Sequence, residues 1–203
     1  MSVAETKRKR GLAVVISGPS GAGKTTVCRE LIAQYGYERS ISATTRAPRA
    51  GESDGVAYYF MTRERFLEGA RRGEFLEHSE HFDNLYGTPR APVERALQQG
   101  RTIILEIDVN GAQQVMERLP AQDRFCIFLT APDAREQERR LRSRHTEAEA
   151  AVRTRLQRAE KEIAQGLRYD ARVENVVVER TVLEVRQYIQ KAEARKDDGC
   201  GQA

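Results

Sequence analysis

The stretch that most limits what this chain can become runs from Leu12 to Cys28. There the apolar run Leu12-Ala13-Val14-Val15-Ile16 gives way to Gly18-Pro19-Ser20-Gly21-Ala22-Gly23-Lys24-Thr25. The spacing G-x-x-x-x-G-K-S/T is that of a P-loop, and it has a mechanical basis. Residues without a Cβ let successive backbone N–H groups turn inward around a phosphate chain, and the helix that follows points its positive end at the same anion. In that reading Lys24 reaches the β- and γ-phosphates and the Thr25 hydroxyl faces a magnesium ion. The alternative is a glycine-rich turn that only joins strand to helix. A buried-type strand before the loop and Val27, Leu31 and Ile32 at helical spacing after it favour triphosphate binding.

Composition bounds the rest. A chain of 203 residues suits one domain, or one domain with small inserted lobes. Its 34 Lys and Arg against 30 Asp and Glu permit anionic partners without demanding nucleic acid. Cys28, Cys126 and Cys200 are far apart and form no C-x-x-C pair, so neither a disulfide framework nor a zinc site is expected. No stretch approaches a spanning helix, and Lys7-Arg8-Lys9-Arg10 reads as a charged end rather than a nucleic-acid arm or a secretion signal. The expectation is a cytoplasmic protein that binds neither nucleic acid nor membrane; oligomeric state is not legible.

Along the chain, Glu38 to Ser42 suggests a short strand and Thr44 to Glu52 a loop, with Arg46 and Arg49 placed to fork a phosphate or simply to face solvent. Tyr58 to Phe60 reads as a strand. Thr62 is expected to cap a helix carrying Phe66, Leu67 and Ala70, and Glu74 to Phe82 reads as a half-exposed strand. This sheet-rich piece interrupts an alternation of strands and helices, so it is expected to form an inserted lobe for a second substrate. The alternation resumes with a helix after Pro89, a strand from Thr102 to Leu105 ending in Glu106-Ile107-Asp108, and a helix with Val109, Ala112, Met116 and Leu119 inward. A strand from Phe125 to Leu129 follows, then an arginine-rich helix from Pro132 and a helix with Val152, Leu156, Ala159, Ile163 and Leu167 as its stripe. A strand from Arg172 to Val178 and a closing helix with Val182, Val185, Ile189 and Ala192 complete the chain. The fold class is α/β, a P-loop parallel sheet covered by helices on both faces.

With these pieces placed, the sequence resembles the guanylate kinase family from about Leu12 to about Ile189. The resemblance is carried by the P-loop, by Ser42-Ala43-Thr44-Thr45-Arg46-Ala47-Pro48-Arg49-Ala50-Gly51-Glu52, by Gly73-Glu74-Phe75-Leu76-Glu77, by Tyr86-Gly87-Thr88-Pro89 and by Leu105-Glu106-Ile107-Asp108. It implies one domain over 1–203: a core of 11–40, 101–132 and 168–195, a GMP-binding lobe of about 41–90, a helical lid of about 133–160, and flexible ends at 1–10 and 196–203. It implies transfer of the γ-phosphoryl of ATP to GMP with Mg2+ as cofactor. ATP would lie on Gly18, Pro19, Ser20, Gly21, Ala22, Gly23, Lys24, Thr25 and Thr26, with Asn175 near the adenine ring.

By the same resemblance Arg46, Arg49, Tyr58 and Tyr86 hold the GMP phosphate, and Ser42, Glu77 and Thr88 read the base. Glu106 lies toward the guanine, Thr25 and, through water, Asp108 serve the metal, and Lys24, Arg140, Arg144 and Arg155 carry the catalytic charge. Taken alone, Glu77 reads as a solvated surface group, Tyr58 and Tyr86 as half-buried tyrosines, and Arg140 as a partner of Glu136 four residues before it. His145, Asn110 and the Val176-Val177 pair depart from the family's usual residues. A nucleotide-free binding module of the same fold is disfavoured by the intact P-loop, and a GTPase switch by the lack of N-K-x-D.

Overall fold

A computed structural model describes residues 10–81, 83–142 and 168–198. The core sheet holds β1 (Leu12–Ser17), β2 (Glu38–Arg39), β7 (Thr102–Glu106), β8 (Arg124–Thr130) and β9 (Ala171–Glu174) in the order β2-β7-β1-β8-β9, with every pairing parallel. Central β1 is buried along its whole length, and its alternation splits the core in two. Leu12, Val14 and Ile16 pack with Val27 and Leu31 of α1 (Lys24–Tyr35) and with Val182, Val185 and Ile189 of α6 (Val178–Asp198). Ala13 and Val15 pack on the other side with Val93 and Leu97 of α3 (Arg90–Gln98) and with Ala112 and Val115 of α4 (Val109–Arg118). Helices therefore cover both faces, as the pattern of continuous apolar strands requires.

Between β2 and β7 the chain builds a second sheet from β3 (Ala43–Thr44), β4 (Tyr59–Phe60), β5 (Phe75–His81) and β6 (Asn84–Pro89), in the order β4-β3-β6-β5. It has its own small core, in which Ala43, Phe75 and Leu85 meet Phe66 of α2 (Arg63–Arg71), with the Phe66 and Phe75 rings stacked 4.4 Å apart. The expected cap forms, the Thr62 side chain accepting from the Arg65 N–H. Strand β5 of this lobe is tied to α4 of the core: Gln114 donates to His78 O at 2.8 Å and Arg118 to Leu76 O at 2.7 Å.

Several boundaries differ from the sequence expectation. Leu67 is 41% exposed, so the inward face of α2 is Phe66 and Gly69. The last strand stops at Glu174, leaving Val176 and Val177 on the surface at 58% and 43% exposure, and Val178 opens α6. That helix continues to Asp198, past residue 196, because Lys196 donates to Gly11 O and to Asp123 Oδ1. The arginine-rich helix α5 (Ala134–Arg142) begins two residues after Pro132, where the Asp133 carboxylate accepts from the Glu136 N–H at 2.7 Å. The helix expected next, with Val152 to Leu167 as its stripe, lies outside the described residues. Among those described, no helix is long and apolar enough to cross a membrane, and Cys28 and Cys126 are buried free thiols.

Candidate active site

The carboxyl ends of β1, β7 and β8 meet at the P-loop, where ligands gather in parallel sheets. Gly23 takes φ 89° at the N-cap of α1, whose first N–H groups have no side-chain cap and no acidic neighbour in the first turn. That is the condition for anion binding at a helix start. A Cβ on Gly23 would also stand 2.2 Å from Asn175 Nδ2, so glycine is required twice over. Lys24 Nζ donates to Gly18 O at 2.6 Å and to Pro19 O at 3.2 Å, at the lip of the loop. Gln137 of α5, nearly fully buried, donates to Ser20 O at 2.8 Å and fastens the loop from above.

A cleft of about 410 Å³ opens from the P-loop onto the second sheet, and its walls include Lys24, Ser42, Arg46, Arg49, Tyr58, Glu77, Tyr86, Glu106 and Asp108. The expected donor-side lysine and nearly all the expected acceptor-side residues thus share one space. Thr88 stands behind it: β5 and β6 pair Glu77 with Thr88, whose hydroxyl donates to Glu77 Oε1 at 2.7 Å. Arg140 lies apart, against the P-loop, donating to Glu136 Oε1 at 2.7 Å and to Asn175 O at 2.8 Å. Arg144 and Arg155 lie outside the described residues.

Glu77 is only 3% exposed, which overturns its reading as a surface glutamate. Burial pushes its carboxyl up to about 7, the nearby Asp108 charge adds to the rise, and the Thr88 hydroxyl opposes both. Room for this carboxylate comes from Gly111 on α4, since a Cβ there would lie 2.5 Å from Glu77 Oε2. Replacing Gly111 by alanine should favour the helix intrinsically yet displace Glu77. The expected result is a KM for GMP raised about tenfold with the KM for ATP unchanged, measured by steady-state titration of each nucleotide.

The two acidic residues at the end of β7 stand in different surroundings. Glu106, still in the strand and level with Ile16 of β1, accepts from the Thr25 hydroxyl at 2.5 Å, at the start of α1. Asp108 has left the strand to cap α4, accepting from the Gly111 N–H at 2.8 Å, and its other oxygen accepts from Ser79 Oγ at 2.8 Å and from His81 Nε2. It therefore faces β5 and Glu77. Burial raises the Asp108 carboxyl, but His81, the Gly111 N–H and Ser79 outweigh it and hold it down at about 2.

Asn175 also departs from expectation. Its Nδ2 donates to Ala22 O at 2.8 Å and its Oδ1 accepts from Thr181 at 3.1 Å, with 1% of the residue exposed. The side chain braces the P-loop from beneath instead of presenting itself to a base. Arg46 is already occupied, its guanidinium meeting both Glu52 oxygens at 2.9 Å. The Glu52 pairing raises the Arg46 pKa, and Tyr58 lies 5.5 Å from the guanidinium. Glu52 also accepts from the Arg49 backbone N–H, so one carboxylate ties the loop together and holds the Arg46 guanidinium where a phosphate would compete for it. Ser79 and His81 were not singled out from sequence, although they follow Glu77 at steps of two on the same strand face. Arg39 at the end of β2 and Ser40 also line the cleft, and only proximity in space reveals them.

Comparison with known proteins shows the family. A family model described as guanylate kinase matches residues 10–192. A guanylate kinase from Cereibacter sphaeroides is 47% identical over 163 residues, 80% of this chain and 77% of that relative. Another from Paramagnetospirillum magneticum is 41% identical over 197 residues, covering 97% and 92% of the two chains. Among solved structures, the crystal structure of guanylate kinase from Anaplasma phagocytophilum superposes with a TM-score of 0.75 at 33% identity, covering 92% of this chain and 88% of that one.

Proposed function

This chain belongs to the guanylate kinase family, and from that premise we propose how its residues transfer the γ-phosphoryl of ATP to GMP. The observation that carries the assignment is a single cleft bounded by Lys24 at one end and the buried Glu77 at the other. ATP lies with its β- and γ-phosphates in the loop from Gly18 to Thr25, with Thr26 behind it. GMP enters from the lobe side, its phosphate taken by Arg46, Arg49, Tyr58 and Tyr86. Guanine presents N1–H and an exocyclic amine as neighbouring donors; Glu77 accepts from them, with Asp108 close by and Ser42 and Thr88 supporting. Adenine, with an unprotonated N1, would leave the carboxylate facing an acceptor.

No protein nucleophile is needed, because the GMP phosphate already carries the attacking charge. Catalysis is then positioning plus electrostatic stabilisation: Lys24 offsets charge at the transferred group, and Arg140, with Arg144 and Arg155 by family resemblance, supplies further cations. Glu52 must give up Arg46 for GMP phosphate to bind, which couples substrate entry to rearrangement of the 46–52 loop. The Thr25 hydroxyl and the Glu106 carboxylate form a pair of hard oxygen donors beside the P-loop. That set suits Mg2+, which keeps several waters and binds few protein ligands, and which when bound would neutralise charge on the β- and γ-phosphates.

A coupled assay of ADP release with GMP, AMP, UMP and CMP as acceptors tests the assignment. The expected outcome is a preference for GMP over AMP in kcat/KM of roughly ten-thousandfold. Equal rates with AMP would remove Glu77 from its role as base reader.

A further inference from the structure

Ser79 and His81 belong to neither phosphate site, yet both line the cleft beside Glu77 and both hold Asp108. They stand two and four residues after Glu77 on β5, so the pleat turns all three side chains toward the same wall. Ser79 Oγ lies 2.8 Å from Asp108 Oδ2 and 3.1 Å from His81 Nε2, closing a three-membered cluster. His81 is also 6.3 Å, ring to ring, from Tyr86 of the phosphate-side wall. From the opposite direction the Gly111 N–H fixes Asp108 Oδ1 at 2.8 Å.

An ionised carboxylate offers about four acceptor positions. Three on Asp108 are filled, both of those on Oδ2 among them, so the carboxylate plane is set and the position left over is on Oδ1. Two carboxylates at one end of a cleft match a base edge that presents adjacent donors: Glu77 takes N1–H and one hydrogen of the exocyclic 2-amine, and Asp108 can take the other hydrogen of that amine. We propose that Ser79 and His81 are positioning residues for base selection, locking Asp108 so that it accepts from the 2-amine of guanine. The proposal rests on the reading of Asp108 as a base-facing group.

Inosine monophosphate isolates this contact, because hypoxanthine keeps N1–H and lacks only the 2-amine. His81→Leu should lower kcat/KM for GMP about tenfold, through KM, while kcat/KM for IMP stays within about twofold, so that the GMP/IMP ratio falls. His81→Gln, whose Nε2 can reach the same oxygen, should recover most of the ratio, and Ser79→Ala should lose part of it. A structural effect would instead lower GMP and IMP together, and that result, or no change in either, overturns the clamp. Asp108→Asn keeps a good helix cap and tests the underlying reading separately. An unchanged ratio there removes Asp108 from the base; a fallen ratio there with an unchanged one in His81→Leu removes only the clamp.

Discussion

Replacing Lys24 by methionine is expected to lower kcat roughly a thousandfold while leaving the fold in place. The side chain is partly exposed at the lip of the P-loop and contributes to neither core cluster, and among the described residues it donates to two carbonyls of the same loop. Methionine keeps the length and removes the charge. What is lost is a cation held where negative charge grows on the transferred phosphoryl, on the P-loop side of a cleft that also carries Glu77, Glu106 and Asp108. The thermal midpoint should move by no more than a few degrees, since Gly23, Asn175 and Gln137 hold the loop independently of the amine. Steady-state kinetics and a melt on the same preparation check both halves. A variant retaining a tenth of the activity would mean that the P-loop positions ATP without Lys24 acting on the reaction.

How far such a site can be read before the fold is known depends on the distance over which each residue's role is set. The P-loop is legible because its mechanism is local: strand, glycine turn and helix start are consecutive, and the structure reproduces each of them. The split of β1 into two core faces follows equally from a period of two. Glu77 was legible only through family resemblance, because what buries it, a missing Cβ at Gly111, lies on another element. Glu106 and Asp108 could not be told apart from the sequence because two residues of equal spacing look alike until it is known that β7 ends at the first and α4 is capped by the second. Asn175 matched the family by position, but position does not say which way an amide points. Val176 and Val177 carry strand propensity yet lie beyond the last ladder pair, Thr130 with Glu174, so tertiary pairing and not propensity ends the strand.

Glu77→Gln should produce opposite effects on activity and on stability. For activity, glutamine offers one acceptor and one donor where guanine presents two donors, so kcat/KM for GMP is expected to fall roughly a thousandfold and the preference over AMP to collapse. For stability, burial pushes the folded carboxyl up to about 7 from its ordinary 4.5, so the buried group resists ionisation. Protonation of Glu77 therefore stabilises the fold fully below about 4.5, and that contribution is lost as pH rises through about 7. The difference of 2.5 pH units between 7 and 4.5 corresponds to about 3 kcal/mol at pH 8. Glutamine is neutral at every pH, so the variant should exceed the wild type in urea denaturation at pH 8 by about that amount, and the gap should close as pH approaches 4.5. The same titration predicts an acid limb near pH 7 in wild-type kcat/KM for GMP, because only the carboxylate accepts both guanine donors. Ionisation of the GMP phosphate contributes to both proteins alike, so it is the limb absent from Glu77→Gln that belongs to this residue. Parallel denaturation curves at pH 8 and pH 5, or retained discrimination against AMP, would place the base reader elsewhere in the cleft. If both effects appear together, the wild type carries a destabilising buried acid because recognition of guanine requires its ionised form.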